Sequence, residues 1–170
     1  MKDLKVSIDD YLLSELIKHK KIQEVKTILS SKNIILEFDI NTETYYRGFC
    51  IKDDVKTCSY IIHVNVKESL KEDISNFNRR GILGDVFSPE AKVFIPKSLE
   101  DIGVYSILYT ILHEYKHYIQ YINGRLQNID ISLDNNNRYI NKESSMLEEE
   151  AEEFALDNIY NLMHGYYNCL

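Results

Sequence analysis

Residues 104–122 read VYSILYTILHEYKHYIQYI, and the fold turns on what this stretch becomes. Its apolar residues recur at helical spacing, and Asn123 and Gly124 follow in the order expected at a helix end. The sequence therefore predicts a helix over 104–122. Well inside it lie His113, Glu114, Tyr115, Lys116 and His117, the pattern HExxH. Positions four apart share one face of a helix, so both imidazoles aim at one point, with a carboxylate beside the first.

That arrangement suits a single zinc ion gripped by His113 and His117, with Glu114 leaning toward a water on the metal, as in zinc peptidases. Five histidines in 170 residues would spell HExxH by independent placement in roughly 1 chain in 80, so the surrounding sequence has to decide. The context required is a helix, a third ligand downstream on another helix, and a compact domain that holds both rigidly.

Downstream, residues 125–142 are polar, Asn-rich and loop-like, and 143–163 predict a final helix ended by Gly165. Upstream, residues 98–102 read as a turn, and 91–95 as a short strand stopped by Pro96. Residues 79–89, with Gly81 and Gly84, read as a loop, and 67–80 as a short polar helix. Segments 34–40, 45–51 and 59–66 are rich in β-branched and aromatic residues between polar stretches, and predict three antiparallel strands. At the N-terminus, Leu12, Leu13, Leu16, Ile17, Val25, Ile28 and Leu29 follow an acidic start at helical spacing. They predict one long helix, or two with a break near Lys20. With no Gly turn and no basic second helix, a DNA-reading helix-turn-helix does not fit.

The third ligand sets the subclass. The pattern HExxHxxGxxH needs glycine at 120 and histidine at 123, whereas this chain has Gln120 and Asn123, so that class is excluded. The run Leu147 to Ala155, LEEEAEEFA, offers carboxylates on a helix instead. With Leu147, Ala151, Phe154, Ala155, Ile159 and Leu162 as its buried stripe, Glu150 is read at the edge of the stripe and becomes the expected ligand. Asp157, seven residues on, is a candidate to orient a ligand imidazole. Glu148, Glu149, Glu152 and Glu153 are read as a solvated face. His164, then Asp130 or Asp134 in the loop, are the alternatives to Glu150.

Composition bounds the rest. A chain of 170 residues fits one domain, here 1–170, divided into an N-terminal helix and sheet (1–90) and an edge strand, active-site helix and ligand helix (91–170). The net charge of -7 argues against a nucleic-acid footprint, and the one compact basic cluster, Lys18 to Lys21, reads as a solvated helix face. Cys50, Cys58 and Cys169 form no CxxC pair and fit reduced thiols. Without a signal-peptide core or a long apolar run, a cytoplasmic protein away from membranes is expected.

The segments LYTILHEYKHYIQ (108–120) and EEEAEEFA (148–155) resemble the HExxH helix and the ExEAxxFA helix of gluzincin metallopeptidases of the ImmA/IrrE type, and of minimal one-domain zincins. By motif the similarity covers about the last 80 residues. The order helix, strands, helix, strand, helix, helix suggests an α+β domain, and the resemblance implies a zincin-like fold, with a small antiparallel or mixed sheet packed against the HExxH helix and a C-terminal ligand helix. It also implies one zinc ion on two histidines and a glutamate, with Glu114 as general base. Gln120 departs from the small or apolar residue commoner at its position. The expected activity is that of a metalloendopeptidase acting on a protein or peptide substrate, with strand 91–95 pairing to an extended segment. The contrasting expectation is a catalytically inactive zinc-binding interaction module. Tyr105, Tyr118, Tyr121 and His164 are unranked candidates to stabilise the oxyanion.

Overall fold

The N-terminal apolar stripe folds as two helices. In the computed structural model, which describes residues 8–41, 46–53, 59–80, 96–126 and 142–170, α1 (Asp10–Lys18) and α2 (Lys20–Ser31) meet at His19. Asp9 caps α1 by accepting from the Leu12 N–H at 2.8 Å. His19 leaves the helical conformation (ψ 136°), and its Nδ1 accepts from the Lys21 N–H at 3.3 Å to start the next helix.

Three strands follow: β1 (Ile34–Asp39), β2 (Gly48–Lys52) and β3 (Tyr60–Asn65). The expectation of three antiparallel strands needs correcting, because the sheet is mixed. Its order is β1-β3-β2, with β3 parallel to β1 and antiparallel to β2. The chain leaves β1, takes the outer position as β2, and returns through the middle as β3, so the third strand runs in the direction of the first. A tight hairpin between β1 and β2 would have fixed the other order, but the polar segment between them is too long to impose one. On central β3, Ile62 and Val64 are fully buried while Ile61 and His63 are partly covered, the alternation of a sheet with one face on the core.

Asn65 ends β3 and starts α3 (Val66–Arg80), its Oδ1 accepting from the Glu68 N–H at 3.0 Å. The longest helix is α4 (Leu99–Ile122), opened by Ser98, whose hydroxyl accepts from Asp101 N–H at 3.0 Å. It ends at Asn123 and Gly124, where φ is 73°, a left-handed value that glycine adopts without cost. Its inner half is buried on nearly every side: Ile107, Leu108, Ile111 and Leu112 are at 0% exposure, packed between the sheet, α3 and α5 (Lys142–Met163). A helix that is apolar all round belongs in the centre of a domain, and each such side chain contributes ~2 kcal/mol of burial. At Gly103 the helix meets α1, where an added Cβ would stand 2.5 Å from Leu16 Cδ1. The far end of α5 docks on α2: Lys21 Nζ donates to the Met163 carbonyl and the Tyr167 hydroxyl donates to Glu24.

Among the described residues the architecture is thus α+β, five helices around a three-stranded mixed sheet. The proposed strand at 91–95 and the loop acids Asp130 and Asp134 lie outside the described residues. Cys50 is a buried free thiol and Cys169 a partly buried one, while Cys58 lies outside the described residues. No described helix is long and apolar enough to cross a membrane.

Candidate metal centre

The centre forms where α4 and α5 lie against each other. His113 and His117, one turn apart on α4, bring their Nε2 atoms to 3.2 Å. From α5, Glu148 closes the triangle, with Oε2 3.1 Å from His113 Nε2 and Oε1 3.2 Å from His117 Nε2. One ligand atom from each residue falls within 4.8 Å of the others, so the group could hold a metal ion.

The donor set fits zinc. Two imidazole nitrogens and one carboxylate are a donor set of the kind that binds zinc, and atoms ~2.0–2.1 Å from a tetrahedral ion stand ~3.3 Å apart, close to the spacings seen. The residues are also screened: the His117 side chain is 8% exposed, and those of His113 and Glu148 are 19% and 18%. Burial alone would push the Glu148 carboxyl up, but hydrogen bonds with His113 and His117 outweigh it and hold the group down at about 2. Burial likewise works to lower the His117 imidazole, and Glu148 together with the charge on Glu114 leaves it raised.

Glu150 does not join this group. Its carboxylate is gripped from outside by the Arg125 guanidinium, Nη1 to Oε2 at 2.6 Å and Nη2 to Oε1 at 2.8 Å, with Lys116 Nζ 3.9 Å away. The helical phase that favoured Glu150 was drawn too far toward Phe154. At about 100° per residue the mean direction of the buried stripe lies roughly 50° from Glu148 and roughly 110° from Glu150. Ala151 and Ala155, both at 0% exposure, mark the face that meets α4, and Glu148 stands one turn before Ala151 on that face. The signal was in the sequence as the spacing Glu148, Ala151, Ala155. Of the other acids read as solvated, Glu152 is 56% exposed yet stands 3.8 Å from His113 Nδ1, while Glu149 and Glu153 are exposed.

Glu114, next to the first ligand, turns from α5 toward the sheet and is only 5% exposed. It packs where β2 crosses α4: a Cβ on Gly48 would lie 3.1 Å from Glu114 Cγ, 2.8 Å from Thr110 Cγ2 and 2.7 Å from the His63 carbonyl. Glycine at the start of β2 therefore permits the helix to approach the sheet at the turn that carries Glu114. Burial pushes the Glu114 carboxyl up, against the pull of the two imidazoles. A carboxyl raised in this way accepts a proton more readily than one in water.

The remaining candidates fall elsewhere. Asp157 is exposed, and the atom that meets His117 Nδ1 is Gln120 Oε1 at 2.8 Å. His164 sits at the end of α5, its Nδ1 2.7 Å from the Tyr160 carbonyl. Tyr118 and Tyr121 pack around Tyr60 on the sheet, with ring centroids at 5.0 and 6.0 Å. Tyr105 stacks on Tyr109, whose ring carries the Arg47 guanidinium at 5.0 Å. No protein-family model, curated protein or solved structure matches the chain, so the centre stands on its own geometry.

Proposed function

We propose that the chain is a zinc-dependent metallopeptidase of zincin-like type, hydrolysing peptide bonds in a protein or peptide substrate. The observation that carries this reading is the convergence of His113, His117 and Glu148 from two helices, with Glu114 buried one residue after the first ligand. His113 Nε2, His117 Nε2 and a Glu148 oxygen would hold the ion. A bound zinc supplies Lewis acidity for the scissile carbonyl and makes water nucleophilic near neutral pH.

The chain's own residues do the rest. Glu114, buried beside the three residues, takes the proton from the attacking water and hands it on to the leaving amine. Partial burial of the three ligand residues keeps bulk water from competing for their lone pairs. The Arg47–Asp73 ion pair, Nη2 to Oδ2 at 2.7 Å, fixes a positive charge near Glu114 at the start of β2.

Glu114→Gln tests the reading. The variant should bind zinc one to one like the parent and lose proteolysis of an unfolded protein substrate by at least about 100-fold, the scale of a general base. If the variant cut as fast as the parent, the catalytic assignment would be wrong. A protein that binds zinc but leaves unfolded protein substrates intact with Glu114 in place would be an interaction module.

A further inference from the structure

Gln120 is a polar side chain at 1% exposure in the middle of the α4–α5 contact, and each of its amide atoms has a partner. Its Nε2 donates to the Leu147 carbonyl at 3.0 Å and approaches Glu150 Oε2 at 3.4 Å. Both partners can only accept, so this end of the amide must be the NH2 group. The other end, Oε1, is then an acceptor, and it faces His117 Nδ1 at 2.8 Å. An acceptor there requires a proton on Nδ1, so Nε2, which faces His113 and Glu148, is the nitrogen left for a metal to take.

We propose that Gln120 is a positioning residue of the centre: its amide fixes His117 as the Nδ1–H tautomer and ties that ring to the α5 backbone one residue before Glu148. The residue type follows from its surroundings. A carboxylate could accept from Nδ1 but would face the Leu147 carbonyl and Glu150 with no hydrogen to give, whereas an amide satisfies both sides. Three residues apart on one helix, His117 and Gln120 share a face, so the pair is made locally and only the Leu147 carbonyl comes from elsewhere. One side chain thus couples the orientation of a ligand on α4 to the position of the ligand on α5. This goes beyond the identity of the ligands and rests on the reading of the cluster as a zinc centre.

The test uses the full chain, ¹⁵N-histidine-labelled, as the wild type, Gln120→Met and Gln120→Glu. In the wild type, long-range ¹H–¹⁵N correlations should give a protonated Nδ1 for His117 in the metal-free protein, and a protonated Nδ1 with a proton-free Nε2 once zinc is added. Gln120→Met, close in shape but without the acceptor, should lose that preference and bind zinc 10–100-fold more weakly. Gln120→Glu keeps an acceptor toward Nδ1 and loses the donor to Leu147, so it should melt earlier than the wild type yet bind zinc more tightly than the methionine variant. A wild-type His117 without a proton on Nδ1 would overturn the proposal whether or not the variants fold. So would affinity losses that simply follow the loss of thermal stability in both variants. Failure of the wild type to bind zinc would instead overturn the metal reading, and the tautomer measurement would still decide the role of Gln120.

Discussion

Exchanging Glu148 and Glu150 for glutamine, one at a time, separates the two carboxylates that sequence alone leaves in competition. Glu148 lies 3.1 and 3.2 Å from the two ligand nitrogens, while Glu150 is spanned by Arg125 at 2.6 and 2.8 Å on the outer side of α5. Zinc held by protein side chains gains ~10 kcal/mol or more, so one of three ligands accounts for ~3 kcal/mol, about two powers of ten in Kd. Glu148→Gln keeps the shape of the side chain and replaces an anionic ligand with a neutral amide, so the full loss should appear. Glu150→Gln breaks a solvent-screened pair and removes one surface charge, which leaves the affinity within a small factor.

Competition against a chromophoric chelator at fixed pH and ionic strength reads both numbers, with metal content per chain as the check on stoichiometry. The expected result is a roughly 100-fold weaker Kd for Glu148→Gln and a near-parental one for Glu150→Gln. The reverse order would refute the assignment of the third ligand, and parental affinity in both variants would refute the centre itself.

Other outcomes follow from the same geometry. In the metal-free protein Glu148 is held at about 2 against an ordinary value of 4.5, so its stabilisation is complete above about 4.5 and drains away as the pH falls toward 2. The difference in melting temperature between metal-free wild type and Glu148→Gln should be largest between pH about 4.5 and 6.5, close as the pH falls toward 2, and shrink as the pH rises through the raised range of His117; a constant difference down to pH ~2 would contradict the assignment. Gly48→Ala forces a Cβ to within 2.8 Å of Thr110 and 3.1 Å of Glu114, so it should cost about 1–3 kcal/mol in urea unfolding and depress hydrolysis more than zinc binding. Leu108→Ala, at a fully buried position of α4, should cost about 2–5 kcal/mol by the same measurement. A loss under 1 kcal/mol would mean that α4 is not central.

The site was half legible in the chain. His113, Glu114 and His117 lie within one helical turn, so their mutual placement follows from backbone geometry once the segment is helical. The end of the helix was readable for the same local reason, Asn123 and Gly124 being written into the sequence, whereas the helix starts at Leu99 behind its Ser98 cap, within the stretch 98–102 read as a turn. Glu148 was harder. The stripe on α5 centres nearer Glu148, but its edge at Phe154, partly exposed and lying over Tyr115, lies next to Glu150.

What the sequence alone determined is therefore the α+β class, the helix carrying HExxH and the acidic helix that completes the centre, because these rest on periodicity and on residues close along the chain. Tertiary structure decided what depends on partners far apart in sequence. It set the parallel pairing of β1 with β3, brought Glu148 to within 3.2 Å of both imidazoles, and gave Gln120 its partners on both sides. It also placed Gly48 against Glu114. Periodicity fixes a helix and a phase that favours Glu148 over Glu150, but only the packing of α5 on α4 brings that carboxylate to the two imidazoles.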